Sequence, residues 1–237
     1  MKRFPFVFGL VLGLVLATAA SASAQEWQKL FDGKTLKGWE GSAHWVVKDD
    51  AISGVITKDT LIKTNTFLIW KDGTVANFEL KCKFRMEGGN SGIQYRSIHL
   101  AKDKADPFIV KGYQADMAVS TFTGILYEER GRGILAQVGQ KVVIDEKGKK
   151  KVVGSLGDKI LDKFDITKWH EYHIIAKGNH LQQFIDGKQT IDLVDHDKKG
   201  RALEGILALQ IHVGGPMLVQ FKDIELKRLP EGGIIDP

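Results

Sequence analysis

An all-β fold of two antiparallel sheets, a sandwich or jelly roll, is the class this sequence predicts. Three observations predict it. Short strand-forming runs recur along the chain, turn signals divide them, and no long stretch carries an apolar period of 3.6 residues. The turns include Lys48-Asp-Asp50, Lys71-Asp-Gly73, Glu87-Gly-Gly-Asn90, Lys177-Gly-Asn179 and Asp186-Gly-Lys188. Asp-Gly and Gly-Asn turn tightly because these residues tolerate positive φ. Many short strands with regular turns fit two packed sheets.

The first 24 residues are expected to be a signal peptide rather than part of the fold. Lys2 and Arg3 are basic, Phe6 to Ala17 are apolar, and Ala22-Ser23-Ala24 forms a small-x-small cleavage site. The apolar run is too short for a confident membrane span, and no cysteine adjoins the cleavage site to carry a lipid anchor. The expectation is a mature chain, 25–237, that is periplasmic or secreted and not stably inserted in a membrane. About 213 residues remain, which fits one all-β domain.

Strands are predicted in order at Trp45–Lys48, Ala51–Val55, Thr66–Trp70, Asn77–Met86, Ser91–Ser97, Tyr113–Ala118 and Gly124–Tyr127. They continue at Lys141–Asp145, Lys151–Val153, Glu171–Ala176, His180–Ile185, Thr190–Val194, Ile206–Val213 and Leu218–Leu226. Phe78, Leu80, Cys82, Phe84 and Met86 share one parity against Glu79, Lys81, Lys83 and Arg85, which is the pattern of a half-buried strand. In Leu218–Leu226 the apolar parity changes between Phe221 and Ile224, which predicts a bulge near Lys222-Asp223. Thr60–Lys63 and Leu161–Thr167 are each expected to hold one helical turn, and Pro230 to Pro237 a loose tail.

Composition narrows the function. One cysteine, Cys82, leaves no internal disulfide, and its apolar neighbours make it a core residue rather than a nucleophile. The net charge of +5 falls to +3 once Lys2 and Arg3 are removed. Lys147, Lys149, Lys150 and Lys151 supply much of it in one expected hairpin tip without interleaved aromatics, so no nucleic-acid partner is expected. His170, His173 and His180 lack zinc-site spacing.

Three strands break the apolar rule in one way. Gln94/Arg96, Gln114/Asp116 and Gln210/His212 are polar pairs spaced by two, so each pair shares one face of its strand. Set side by side in one sheet, they bring a cation, a carboxylate, an imidazole and three amides to one surface. That is the equipment of a polar small-ligand site. Tyr127, Glu128, Arg130 and Arg132 in Thr123–Gly133 form a second candidate cluster, with Glu128 as an acid/base and the arginines as clamps. Glu87, beside a glycine turn, is a candidate rim contact. An oxygen-rich site for a divalent cation from Asp116, Glu128 and carbonyls is conceivable, but no calcium-loop spacing supports it, and no cofactor is expected.

An ordered set of segments is more specific. Phe31–Trp39, Trp45–Gly54, Asn90–Arg96, Gly112–Asp116, Thr123–Tyr127, the Trp169–Gly187 hairpin and Gln210–His212 together resemble the 3-keto-disaccharide hydrolase family. The resemblance spans about Leu30 to Leu229. It implies a concanavalin A-like lectin/glucanase jelly roll whose concave sheet holds a sugar site, and a small oxidised saccharide as substrate. The Glu-x-Asp-x-x-Glu strand of retaining glucanases is missing, so ordinary double displacement is not expected. A 3-ketone acidifies the hydrogen beside the anomeric carbon. A base can then remove that proton, an enolate can expel the aglycone, and water can add to the enone. The parts required are a base, an electrophile and an acid. His212, Asp116 and Glu128 are the candidate base and acid, Arg96 the oxyanion partner, and Gln94, Gln114 and Gln210 the hydroxyl binders. The alternative is a non-catalytic carbohydrate-binding module of the same fold, which would present aromatic platforms instead.

Overall fold

The computed structural model describes residues 26–102 and 104–237; the expected signal segment lies outside the described residues. Seventeen strands follow one another among the described residues. The first half holds β1 (Gln28–Lys29), β2 (Trp39–Glu40), β3 (Trp45–Lys48), β4 (Ala51–Ile56), β5 (Thr66–Trp70), β6 (Phe78–Glu87), β7 (Asn90–His99) and β8 (Val110–Ala118). Then come β9 (Leu126–Glu129), β10 (Gly133–Ala136), β11 (Gln140–Ile144), β12 (Lys150–Ser155) and β13 (His170–Lys177). The chain finishes with β14 (His180–Ile185), β15 (Lys188–Asp195), β16 (Ile206–Ile211) and β17 (Met217–Arg228).

They form two sheets. The larger has ten strands, β12-β11-β15-β14-β13-β6-β17-β4-β3, with β1 also on β17. The smaller runs β10-β9-β8-β7-β16-β5-β2. Every pairing is antiparallel except β11 with β15. No helix occurs among the described residues. The two expected helical turns are isolated tight turns instead. Thr60 N donates to Thr57 O, and Phe164 N and Lys168 N donate to Leu161 O and Asp165 O. Side chains add to two of these turns, with Thr57 N bonded to Thr60 Oγ1 and Thr167 N to Asp165 Oδ1.

The core lies between the sheets. Phe78, Leu80, Cys82, Phe84 and Met86 of β6 enter it, facing Tyr95, Tyr113 and Met117 of the smaller sheet. Full burial of a side chain such as Phe84 contributes about 1.5–3 kcal/mol. Burial also pushes the Cys82 thiol upward, which leaves it unreactive. The predicted bulge in β17 is present, with the register shifting between Lys222 and Glu225 and Asp223 at φ 50°. At Asp186-Gly187 both residues have positive φ, closing the β14–β15 hairpin. The tail is not loose. Asn77 Nδ2 donates to Pro230 O and Gly232 O. Asn179 accepts from Ile235 N and donates to Ile235 O.

The smaller sheet is buried on both faces at its centre. Residues directly opposite in an antiparallel pair share a face, and Gln94↔Gln114, Gln94↔Ala208 and Gln114↔Tyr127 are opposite. Ile93, Ala115 and Leu209 face the core, so the amides face outward. A second apolar cluster of Phe67, Ile69, Val110 and Ala208 covers part of this outer face. The candidate site fills the part it leaves open.

Candidate active site

A hollow of about 230 Å³ opens on the outer face of the smaller sheet. Gln114 and Asp116 of β8, Tyr127 and Glu129 of β9, Asn90 at the start of β7 and His212 just past β16 line it. Asn65 completes the polar set, and Phe122, Ile125 and Ile134 form an apolar wall.

Asp116 is buried, 5% exposed, and makes no ion pair among the described residues. Gln114 Nε2 donates to its Oδ1 at 3.0 Å and Met117 N at 3.2 Å. Burial raises this carboxyl to about 7, against the hydrogen bonds from Gln114, Asn90 and Met117 and with help from the charge of Glu129. Glu129 is also raised, mainly by burial. The hydrogen bonds from Asn65 and Gln210 and the charges of His212 and Arg130 oppose the rise. Tyr127 is raised by burial and by both carboxylates, so its hydroxyl stays protonated near neutrality. His212 Nδ1 lies 2.6 Å from Val213 O. A carbonyl only accepts, so Nδ1 carries the proton there and Nε2 is the acceptor of the neutral ring.

The amides form one chain. Ser97 Oγ donates to Gln94 Oε1 (2.7 Å), Gln94 Nε2 to Gln114 Oε1 (2.6 Å), and Gln114 Nε2 also to Gln210 Oε1 (3.3 Å). Gln210 Nε2 then donates to Glu129 Oε2 (3.0 Å), whose Oε1 accepts from Asn65 Nδ2 (3.3 Å). Gly92 stands opposite Asp116, and a Cβ there would lie 2.4 Å from Gln114 Cγ. The bare glycine lets Gln114 lie across the sheet.

The structure brings Asp116, Gln114, Tyr127 and His212 to one hollow, with Gln94 and Gln210 directly behind it. It separates the others. Arg96 has φ +48° inside a register shift between Tyr95 and Ile98, so the expected shared parity with Gln94 is lost. Its guanidinium reaches across to the other sheet and donates to Ala76 O (2.7 Å), Gly178 O (2.6 Å), Ala202 O and Asn77 Oδ1. Burial there lowers it to about 10. Arg96 ties loops together and is not the oxyanion partner that was expected.

Glu128 lies opposite Tyr113, a core residue, and so on the far side of β9 from the hollow. Arg132 Nε and N both donate to Glu128 Oε2, at 2.7 and 2.8 Å, and Arg132 Nη2 pairs with Asp195 Oδ2 at 2.7 Å. Glu128 and Arg132 therefore close an ion-pair cluster between the sheets. They form neither a cation site shared with Asp116 nor a substrate clamp. Arg130 is exposed at the end of β9, where its charge acts on Glu129. Glu87 is exposed at the end of β6, opposite Leu218, outside the hollow.

The family described as 3-keto-alpha-glucoside-1,2-lyase-like domain matches residues 26–227. The chain belongs to this family. Its membership makes the protein carbohydrate-active, in accord with the expected resemblance. A putative glycosyl hydrolase from Parabacteroides distasonis superimposes with a TM-score of 0.57 at 20% identity, covering 86% of this chain and 94% of that one. The carbohydrate-binding module CBM66 from Bacillus subtilis gives 0.53 at 13% identity, covering 80% and 95%. A galectin-like protein of unknown function, also from Bacillus subtilis, gives 0.55 at 11% identity, covering 81% and 90%. At these identities the likeness establishes the sandwich fold. Comparison with curated proteins returned no match.

Sequence reasoning missed Glu129, Asn65 and Phe122, and within the Glu87–Asn90 turn it took Glu87 rather than Asn90 as the rim contact. For Glu129 the signal was present. Tyr127 and Glu129 are spaced by two, the same rule that picked out Gln114 and Asp116, and taking Tyr127 as a site residue selects Glu129 over Glu128. Asn65 and Phe122 stand outside the strands, where parity gives no guidance.

Proposed function

We propose that this protein cleaves 3-keto-glycosides by elimination and hydration. The observation that carries the reading is Asp116, a carboxylate in a sugar-sized hollow; burial pushes it up to about 7, and it makes no ion pair among the described residues. A base is most effective when its pKa lies near the working pH. Asp116 takes the proton from the carbon between the ketone and the anomeric centre. Tyr127 donates its hydroxyl to the enolate oxygen. Glu129, raised by burial, gives a proton to the aglycone oxygen as the anomeric C–O bond breaks. The enone then takes hydroxide from water at the anomeric carbon and, once the Asp116 carboxyl has exchanged its proton with solvent, a proton from Asp116 at its neighbour. Glu129 recovers its proton from that water, and the net change is hydrolysis. His212, whose Nδ1 donates to Val213 O, offers Nε2 to orient the water.

A hollow of about 230 Å³ lies below the roughly 300–1,000 Å³ that encloses drug-sized ligands. It suits one oxidised ring, with the aglycone resting outside. The leader-like first 24 residues support action in the periplasm or outside the cell.

A non-catalytic binder of the same fold is disfavoured by the tryptophans, none of which lines the hollow. Trp39, Trp45 and Trp70 are buried in the core rather than presented to a sugar ring. The test is turnover of a 3-keto-disaccharide beside its unoxidised parent. Free sugar from the keto compound alone, lost in Asp116→Asn, is expected. Equal cleavage of both compounds, or tight binding without product, would overturn the proposal.

A further inference from the structure

Gln114 is absent from the chemistry above, yet it is the junction of the buried amide chain. The polarity of that chain is set at its ends. Asp116 Oδ1 and Glu129 Oε2 accept the hydrogen bonds here, so Gln114 and Gln210 turn their NH2 groups toward them. Their carbonyl oxygens then face back along the chain, which obliges Gln94 to donate to Gln114 and Ser97 to Gln94. One orientation of all three amides satisfies every bond, and the side chains of Gln94, Gln114 and Gln210 are at most 2% exposed. Each donor of Gln114 has its own target, Asp116 Oδ1 and Gln210 Oε1. Gly92 supplies the space in which this side chain lies.

We infer that Gln114 is the positioning residue of this site. It holds Oδ1 of Asp116 in place, leaves Oδ2 to exchange the proton, and couples Asp116 through Gln210 to Glu129. The proton-transfer half of this inference rests on the elimination reading, whereas the hydrogen-bond half does not. The groups around Asp116 are Asn90 from β7, Tyr127 and Glu129 from β9, and His212 beyond β16. Tyr172 of β13 donates to its main-chain oxygen from the core side. None of these is a cation fixed on the carboxylate by a hydrogen bond. Neutral donors therefore hold the charged form, Gln114 foremost, with Asn90 and the Met117 main chain beside it.

The experiment uses the full protein labelled with ¹³C at aspartate carboxyls. Asp116 is assigned by the resonance lost in Asp116→Asn, and the titration is repeated in Gln114→Met. Methionine keeps the volume and removes the donor. A hydrogen bond to a charged group corresponds to about 1–2 pH units, so the Asp116 midpoint should rise by about 1. With a 3-keto-disaccharide, the alkaline plateau of kcat/KM should stay within a few-fold while the acid limb moves up in parallel. Gln210→Met should move Glu129, followed with labelled glutamate, more than Asp116. It carries the test if Gln114→Met does not fold. An unmoved Asp116 midpoint in Gln114→Met, an unmoved Glu129 midpoint in Gln210→Met, or an activity loss uniform across pH, would overturn the inference. A shifted midpoint in a protein that does not turn over the keto sugar would uphold the positioning and sink the elimination reading.

Discussion

Replacing Asp116 by Asn should stabilise the protein at alkaline pH while abolishing activity. The folded carboxyl is pushed up to about 7, against an ordinary value of 3.8 in the unfolded chain. The folded state therefore holds a proton through pH 4–7 that the unfolded state has released, and stability falls as pH rises through that window. Above pH 7 the native state carries the full cost of a buried charge, about 4 kcal/mol at ~1.4 kcal/mol per pH unit. Asparagine keeps an oxygen to accept from Gln114 and Met117. It also adds an NH2 near Asn90, whose Oδ1 is buried without a partner. Urea unfolding of both proteins at pH 4, 6 and 8 reads the effect. The variant should gain up to about 4 kcal/mol at pH 8 and almost nothing at pH 4. A variant less stable than the parent at pH 8, or a gain independent of pH, would refute the description of Asp116 as a charge held without a cation.

Two further substitutions separate the site from its scaffold. Arg96→Met removes donors from three carbonyls and should cost about 2–4 kcal/mol in urea unfolding. Turnover per folded molecule should stay within about two-fold, and a selective loss of turnover would restore Arg96 to the chemistry. Gly92→Ala meets no backbone strain but drives a Cβ into Gln114, which should move the acid limb of kcat/KM upward as Gln114→Met does, for about 1–3 kcal/mol of stability. Unchanged kinetics would mean that the position of Gln114 does not matter.

Much of the fold was legible because alternation and turn chemistry agree. Trp45–Lys48, Thr66–Trp70 and His180–Ile185 are read to the residue. β1 and β2, two residues each, are too short to carry a period, and β10 follows the Arg130–Gly133 turn without a clear alternation. The parallel β11–β15 pair and the docked tail depend on contacts between residues far apart in sequence. In the site, parity succeeded on β8, where the strand is regular through Gln114 and Asp116. It failed on β7 because Arg96 in the left-handed region reverses the face, and a reversal of that kind has no local apolar signature. On β9 consecutive glutamates left the parity to be chosen, and Tyr127 decides it for Glu129.

The central claim is that Asp116 moves a proton on the carbon beside the ketone. Reaction of a 3-keto-disaccharide in deuterated water, followed by NMR of substrate and product, tests it most directly. Elimination and hydration predict one deuterium on that carbon in the released keto sugar, formed by the parent protein and not by Asp116→Asn. Released keto sugar with hydrogen retained there would mean that the glycosidic bond breaks by direct displacement, and would contradict the account.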